Sequence, residues 1–404
     1  MGKKGKSAHL FGVLISNKAW REMTKNKTPY RLQQLAKVNS SVNFNMYFFN
    51  MRQVDTKAKT ISAYYYDPAD GKWKKDIFPY PDVLYRRGGA TKRDRARFKK
   101  FMKQCRRNGT VFLNPAQLGN WEIYNYFNKV ESLQEYLLET ILFREPDDLM
   151  NMLFRHEKVY LKGVTGRKGK NVMRVSVLPD NIFQTKNYSH RKDKVRIYEF
   201  DNFDDLIAYV KSFYKGKNFM VQEAIELLEV EDRIIDLRAE LQRNKSGEID
   251  ITGVSARVSQ KNSPITINSV AYPVQEFFET IGMPFTQRMK LKQDINHFLR
   301  LVYTETEKKY GKFAEIGIDF GLTKDFKIKF IECNSQSAKV SLLKAYGEEA
   351  FNHALLNILQ SAEQELQIKK GAEEDQGCFT RMKVKTADYW DGFTEWVKEG
   401  WKKL

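Results

Sequence analysis

Apolar and polar positions change period several times along this chain, and each change predicts an element. Residues 8–16 (AHLFGVLIS) form a short, nearly continuous apolar run, the mark of a buried strand. Two further strand-like stretches follow at 42–51 and 60–66, with a turn at Asp67-Pro68-Ala69-Asp70-Gly71. An extended segment over 78–85 ends this first α/β unit. The period then becomes helical over 91–107, where Phe98, Phe101, Met102 and Cys105 share one stripe. A short strand at 111–113 stops at Asn114-Pro115, and 121–155 reads as helical.

A second texture starts at Lys158. Residues 159–162 predict a strand, 163–170 (GVTGRKGK) a polar loop, and 172–177 another strand. A helix at about 202–214 precedes a strand at 218–222, which runs into Glu223, Ala224 and Ile225. Long strands at 233–243 and 248–258 flank the turn Asn244-Lys245-Ser246-Gly247. A helix at about 285–309 leads into a strand pair, 314–321 and 327–333, and a last core helix spans about 345–368. Residues 371–377 read as a linker. Beyond it, Trp390, Trp396 and Trp401 recur with Phe393 and Val397 at helical intervals. That tail is expected to dock on the body, the alternative being a helix for a membrane surface or a partner.

Composition narrows the class. With 404 residues, 42% of them hydrophobic, the chain can bury real cores, which excludes global disorder. No apolar run approaches the roughly 20 residues needed to cross a bilayer, and no secretion signal is read at the N-terminus. Three cysteines in no paired pattern and five scattered histidines argue against a disulfide scaffold and a Cys/His zinc site. The chain is expected to be soluble and cytoplasmic.

Charge changes the picture further. The formal net charge is +19, and residues 1–110 carry all of that excess, with 26 basic and 7 acidic side chains. The densest part, 91–107 (TKRDRARFKKFMKQCRR), places Arg95, Lys99, Lys103 and Arg106 off its apolar stripe. Such a helix can be merely solvated, or it can attract an acidic partner. With no zinc-finger spacing, leucine-zipper heptad or aromatic RNA-binding signature, nucleic acid is the disfavoured partner.

Three features carry candidate chemistry. The loop 163–170 follows Lys162; its glycines permit a tight backbone near phosphate oxygens, although a basic hairpin turn has the same composition. No Gly-Lys-Ser/Thr closes it, so it is not a Walker loop. In the strand 234–241, period-two geometry puts Asp236, Arg238 and Glu240 on one face and Ile235, Leu237, Ala239 and Leu241 on the other. A strand lining a polar cleft and a solvent-facing strand both fit that pattern. Finally, Asp319 sits among apolar residues near a strand end, and Glu332 and Asn334 share a face of the next strand. Acids in so apolar a strand pair need partners, and Asp, Glu and Asn oxygens suit Mg²⁺ beside a nucleotide phosphate better than a buried salt bridge does.

In their order and spacing these blocks resemble the YheC/YheD family of endospore coat-associated ATP-grasp proteins over about residues 8–360. The blocks are FPYPDVLYRR, the strand ending at Lys162, FMVQEAIEL, the hairpin DLRAELQRN-SG-EIDITGVSARV and the pair EIGIDFG…IKFIECN. The resemblance implies an α/β ATP-grasp fold behind a basic N-terminal pre-ATP-grasp domain (1–115). A phosphate-loop and hinge subdomain (116–225), a metal-site subdomain (226–370) and a linker with tail helix (371–404) would follow. It also implies ATP and Mg²⁺ as cofactors. Lys162, Gly166, Gly169 and Asp236 would bind the nucleotide, and Gln222, Glu223, Ala224 and Ile225 would read adenine through the hinge backbone. Arg238 would steady the γ-phosphate and the acyl phosphate formed from it, helped by Arg257, while Asp319, Glu332 and Asn334 would hold Mg²⁺. The implied activity is carboxylate–amine ligation on a peptide or protein, with spore-coat association; the basic N-terminal domain adds the expectation that this substrate is acidic. The alternative is a coat structural protein that keeps the fold without turnover. The chain departs from the family pattern at Gly163, in the loop itself and after Asn334.

Overall fold

The computed structural model describes residues 9–164, 171–189, 194–261, 263, 265–266 and 269–400, with side chains described to residue 371. The N-terminal unit is built on parallel strands. Leu10–Leu14 lies between Asn45–Phe49 and Val83–Arg86, and Val111–Leu113 pairs outside Val83–Arg86. Thr60–Asp67 and Lys72–Pro79 extend the other edge as an antiparallel hairpin. Parallel neighbours need crossovers. The basic helix Arg95–Arg107 supplies one, burying Phe101, Met102 and Cys105 as its stripe predicted. Helices Asn17–Met23 and Tyr30–Val38 supply another and were not anticipated; both are short and polar, and Ser16 caps the first by accepting from the Ala19 amide.

The central sheet is antiparallel. Its order is Lys194–Phe200, Phe183–Ser189, Val172–Val177, Lys158–Gly163, Phe219–Glu223 and Thr140–Leu142. Helices Pro146–His156 and Phe203–Tyr214 cover one face, packing Leu149, Met152, Leu206 and Val210 onto Val159, Leu161, Val175 and Val221. Alternation then leaves Tyr160, Lys162 and Gln222 on the opposite face.

The C-terminal sheet runs Val270–Pro273, Ile249–Val258, Arg233–Arg243, Glu315–Leu322 and Ile328–Asn334, all antiparallel. Its back face packs Ile235, Leu237, Ala239, Leu241, Ile318 and Phe320 against Phe278, Phe298, Leu299 and Val302 of helices Val274–Thr280 and Phe285–Tyr310. Each large side chain buried there contributes about 1.5–3 kcal/mol. The polar residues of the strand 234–241 take the opposite face, where Asp236 and Glu240 are buried, so that face is not open to solvent.

Two segments cross the expected boundaries. Ile123, Phe127 and Leu133, placed with the central subdomain from sequence, join the C-terminal core. Phe351, Leu355, Ile358 and Leu359 of the last helix join the N-terminal core beside Phe11, Val13 and Tyr85. That helix, Val340–Gly400, is interrupted at Gly347 (φ 77°) and continues through 371–377, the segment read as a linker. Ala372, Glu373, Glu374 and Gln376 are strong helix formers that outweigh two glycines. The side chains of the Trp-rich tail lie outside the described residues. Among the described residues, no helix is long and apolar enough to cross a membrane.

Candidate functional site

Two sheets supply the facing walls of the site. From the central sheet, Lys162 projects into the cleft beside the Tyr160 ring, its Nζ 5.8 Å from the ring centre. Burial pulls its pKa down, and the negative charges of Glu332 and Asp319 act against that pull. Lysine and acids more than 150 residues apart in sequence thus act on one another across a single cleft.

The opposite wall is a lattice of charge on the C-terminal sheet. Register pairs Arg238 with Asp319, Asp319 with Glu332, and Asp236 with Arg257 on adjacent strands. Arg238 forks onto Asp319, donating from Nε to Oδ1 and from Nη2 to Oδ2, the latter at 2.7 Å. Arg257 does the same to Asp236 at 2.6 and 2.5 Å, and its Nη2 also lies 3.3 Å from Asp319 Oδ1. Thr266 Oγ1 donates to Asp236 at 2.5 Å. Burial alone would lower the Arg238 pKa, but the Asp319 charge and hydrogen bond reverse this and raise it. Burial likewise opposes ionisation of Asp319, and the Arg238 and Arg257 charges overcome it, so its carboxyl stays below the usual range.

Glu332 has no forked arginine of its own, and the Arg238 charge lowers its pKa only in part. Burial raises its pKa and the neighbouring Asp319 charge raises it further; Asn334 Nδ2, donating to Oε1 at 3.0 Å, only partly offsets them. Two carboxyls in contact with a surplus negative charge, plus an adjacent amide oxygen, form a donor set that fits a hard divalent ion. Among the described residues, no three His, Cys, Asp or Glu side chains group as a metal site.

Other predicted positions fall as follows. Asp236 braces Arg257 and so faces an arginine before any nucleotide. The hinge amides of Glu223 and Ala224 donate to the carbonyls of Glu139 and Lys158 at 2.8 and 3.1 Å. Ile225 packs its Cδ1 near Gly321. Gly166 and Gly169, with Lys168 and Lys170, lie outside the described residues.

Several participants were not found from sequence. Ser337, in the loop after Asn334, accepts from Arg238 Nη1 at 3.2 Å and donates to Glu240 Oε1. The backbone carbonyl of Ser337 accepts from Arg87 Nη2 at 2.6 Å, and Arg87 Nη1 donates to Glu315 at 2.6 Å, with Lys339 on the same carboxylate. The N-terminal unit is thereby tied to the Arg238 neighbourhood. Gly317 makes this approach possible, since a Cβ there would stand 2.9 Å from Ser337 Cβ and 3.2 Å from Arg238 Nη1. No local sequence signal marks Ser337, because its role depends on strands a hundred residues earlier folding beneath it.

With this geometry in place, the chain can be set beside known proteins. The YheC/D-like ATP-grasp family pattern matches residues 109–364. The endospore coat-associated protein YheD of Bacillus subtilis (strain 168) is 22% identical over 320 residues, covering 78% of this chain and 67% of YheD. The same organism's endospore coat-associated protein YheC is 23% identical over 319 residues, covering 76% and 85%. Among solved structures, the ATP-grasp ligase PsnB complexed with minimal precursor superposes with a TM-score of 0.50 at 10% identity, over 88% of this chain and all of that one. At that identity the likeness speaks for the fold, which here has the three sheets described above. The chain has the ATP-grasp fold and belongs to the YheC/D-like ATP-grasp family.

Proposed function

We propose that the protein is an ATP- and Mg²⁺-dependent carboxylate–amine ligase acting on a peptide or protein. The observation that carries this reading is the convergence of Lys162 on one wall with Arg238, Arg257 and the Asp319–Glu332–Asn334 set on the other. A triphosphate between the walls would meet a lysine at one end and two arginines at the other. Asp319, Glu332 and Asn334 would hold Mg²⁺, which supplies charge neutralisation at the phosphates. Arg238 is rigidly forked on Asp319, so its guanidinium is preorganised for charge that builds when a carboxylate attacks the γ-phosphate. The same charge returns when an amine displaces phosphate from the acyl phosphate.

The acidic substrate would be recruited by the basic helix. Lys92, Arg93, Arg95, Arg97, Lys99, Lys100, Lys103, Arg106 and Arg107 are all exposed, and none is ion-paired with a described residue. Replacing Lys99, Lys103 and Arg106 by Glu is expected to weaken acidic-peptide binding at least tenfold and to leave ATP affinity unchanged. Peptide titrations at two salt concentrations check this, because a charge-driven site also weakens as salt rises.

ADP release measured with panels of carboxylates and amines tests the ligase reading directly. Release that requires both partners supports it. Nucleotide binding without release under every pairing would favour the second reading, a coat-associated structural protein. That reading draws on Asp319 being already neutralised by Arg238 and on relatives named for spore-coat association.

A further inference from the structure

Gln222 lies on the hinge strand, where the family resemblance employs only its backbone. Its side chain, 4% exposed, points to the cleft face and is held at both ends. Lys162 Nζ donates to Gln222 Oε1 at 2.6 Å, and Gln222 Nε2 donates to Thr140 Oγ1 at 2.8 Å. Thr140 Oγ1 in turn donates to the Leu138 carbonyl at 3.0 Å.

The direction of every bond in this chain is forced. An ammonium has donors only, so the amide oxygen must face Lys162. The Thr140 hydroxyl commits its one proton to Leu138, so it can only accept, and the amide NH₂ must face it. Flipping the amide would set NH₂ against ammonium and carbonyl against a hydroxyl lone pair, losing both bonds. The chain is anchored outside the sheet as well. The Thr140 amide donates to the Tyr124 phenol oxygen at 3.1 Å, and Tyr124 belongs to the helix Asn120–Phe127, whose Ile123 and Phe127 sit in the C-terminal core.

We propose that Gln222 is a positioning residue that aims the Lys162 ammonium at the nucleotide phosphates without setting a negative charge of its own against it. The role calls for a neutral acceptor. A carboxylate at the same place would pair with the ammonium and compete with phosphate for it. An apolar side chain would release a flexible four-carbon stem, so ordering it on binding would cost rotamer entropy. The inference rests on the assignment of Lys162 to a phosphate.

The test is a double-mutant cycle on the full chain, reading ATP affinity in Mg²⁺ by calorimetry. Gln222→Met is expected to weaken ATP about tenfold, the scale of one hydrogen bond to a charged group, and Gln222→Glu at least as much. Thr140→Val, which keeps shape and frees the amide to flip, should weaken it severalfold. In a Lys162→Met background, Gln222→Met and Thr140→Val should change nothing further. Wild-type affinity in Gln222→Met, even with a lowered melting temperature, would make the residue merely structural and overturn the proposal. So would losses that persist in full beside Lys162→Met, because Gln222 would then act without the lysine. Absence of ATP binding by the wild-type chain is a separate result, which would overturn the phosphate assignment itself and this inference with it.

Discussion

Arg238→Met is expected to lower ADP-releasing turnover by about 10²–10³-fold, the usual consequence of removing one preorganised donor from developing charge. The loss should appear in kcat, because the Asp319–Glu332–Asn334 set and Lys162 remain to hold the nucleotide. The substitution also removes the shared cation of Asp319 and Glu240, both buried. Arg257, 3.3 Å from Asp319, and the Ser337 hydroxyl on Glu240 remain as weaker partners, so urea unfolding should show a drop smaller than the about 3–5 kcal/mol of a fully unpaired buried charge. Arg238→Lys separates the two effects. It restores charge without the planar fork, so it should recover stability better than turnover. A folded Arg238→Met protein with wild-type kcat would take Arg238 out of the chemistry.

Glu332→Gln should move stability and nucleotide binding in opposite directions. In the free protein the Glu332 carboxyl faces Asp319, and its folded pKa lies above its unfolded value through burial and that like charge. A carboxyl raised in this way holds its proton more tightly when folded. Its ionisation therefore weighs against folding above the folded pKa, and the penalty fades as pH falls through that value. At neutral pH without nucleotide, Glu332→Gln should melt at or above the wild type, and the difference should shrink on acidification. Mg²⁺ with ATP reverses the order. The wild type should gain several degrees, while the variant gains little, having lost a ligand oxygen with full charge. Equal gains from Mg²⁺–ATP in both proteins would dismiss the metal assignment. A site that opposes its own stability when empty is the pattern expected where function, and not packing, selected the residue.

Elements with a strong period were legible in the sequence. The basic helix ends at Arg107 as expected but starts four residues late, at Arg95, while the long hairpin 233–258 and the strand pair ending at Asn334 fall within a residue or two of their expected bounds. So does the polar face of the strand 234–241, although sequence alone left it undecided between cleft and solvent. Only the apolar helices packed behind it settle that choice. What stayed hidden was either short or made by distant partners. The strand Thr140–Leu142 has three residues, too few to show a period, yet Thr140 fixes the orientation of Gln222. The strands Phe183–Ser189 and Lys194–Phe200 lie toward the sheet edge with mixed polarity and carry no clean alternation. The pairing of Asp236 with Arg257 follows from the hairpin register and was not foreseen, because a strand's period tells which face a residue takes and not which neighbour it meets.

The sharing of cores has a consequence for biosynthesis. Phe11, Val13 and Tyr85 are covered by Phe351, Leu355 and Ile358, which leave the ribosome about 240 residues after the last strand of the N-terminal sheet. At about 5–20 residues per second that interval is some tens of seconds. Through it the nascent first unit must carry an uncovered apolar flank, a natural client for a chaperone that shields hydrophobic surface during translation. A polypeptide released early would therefore lack the cover of its earliest-made sheet.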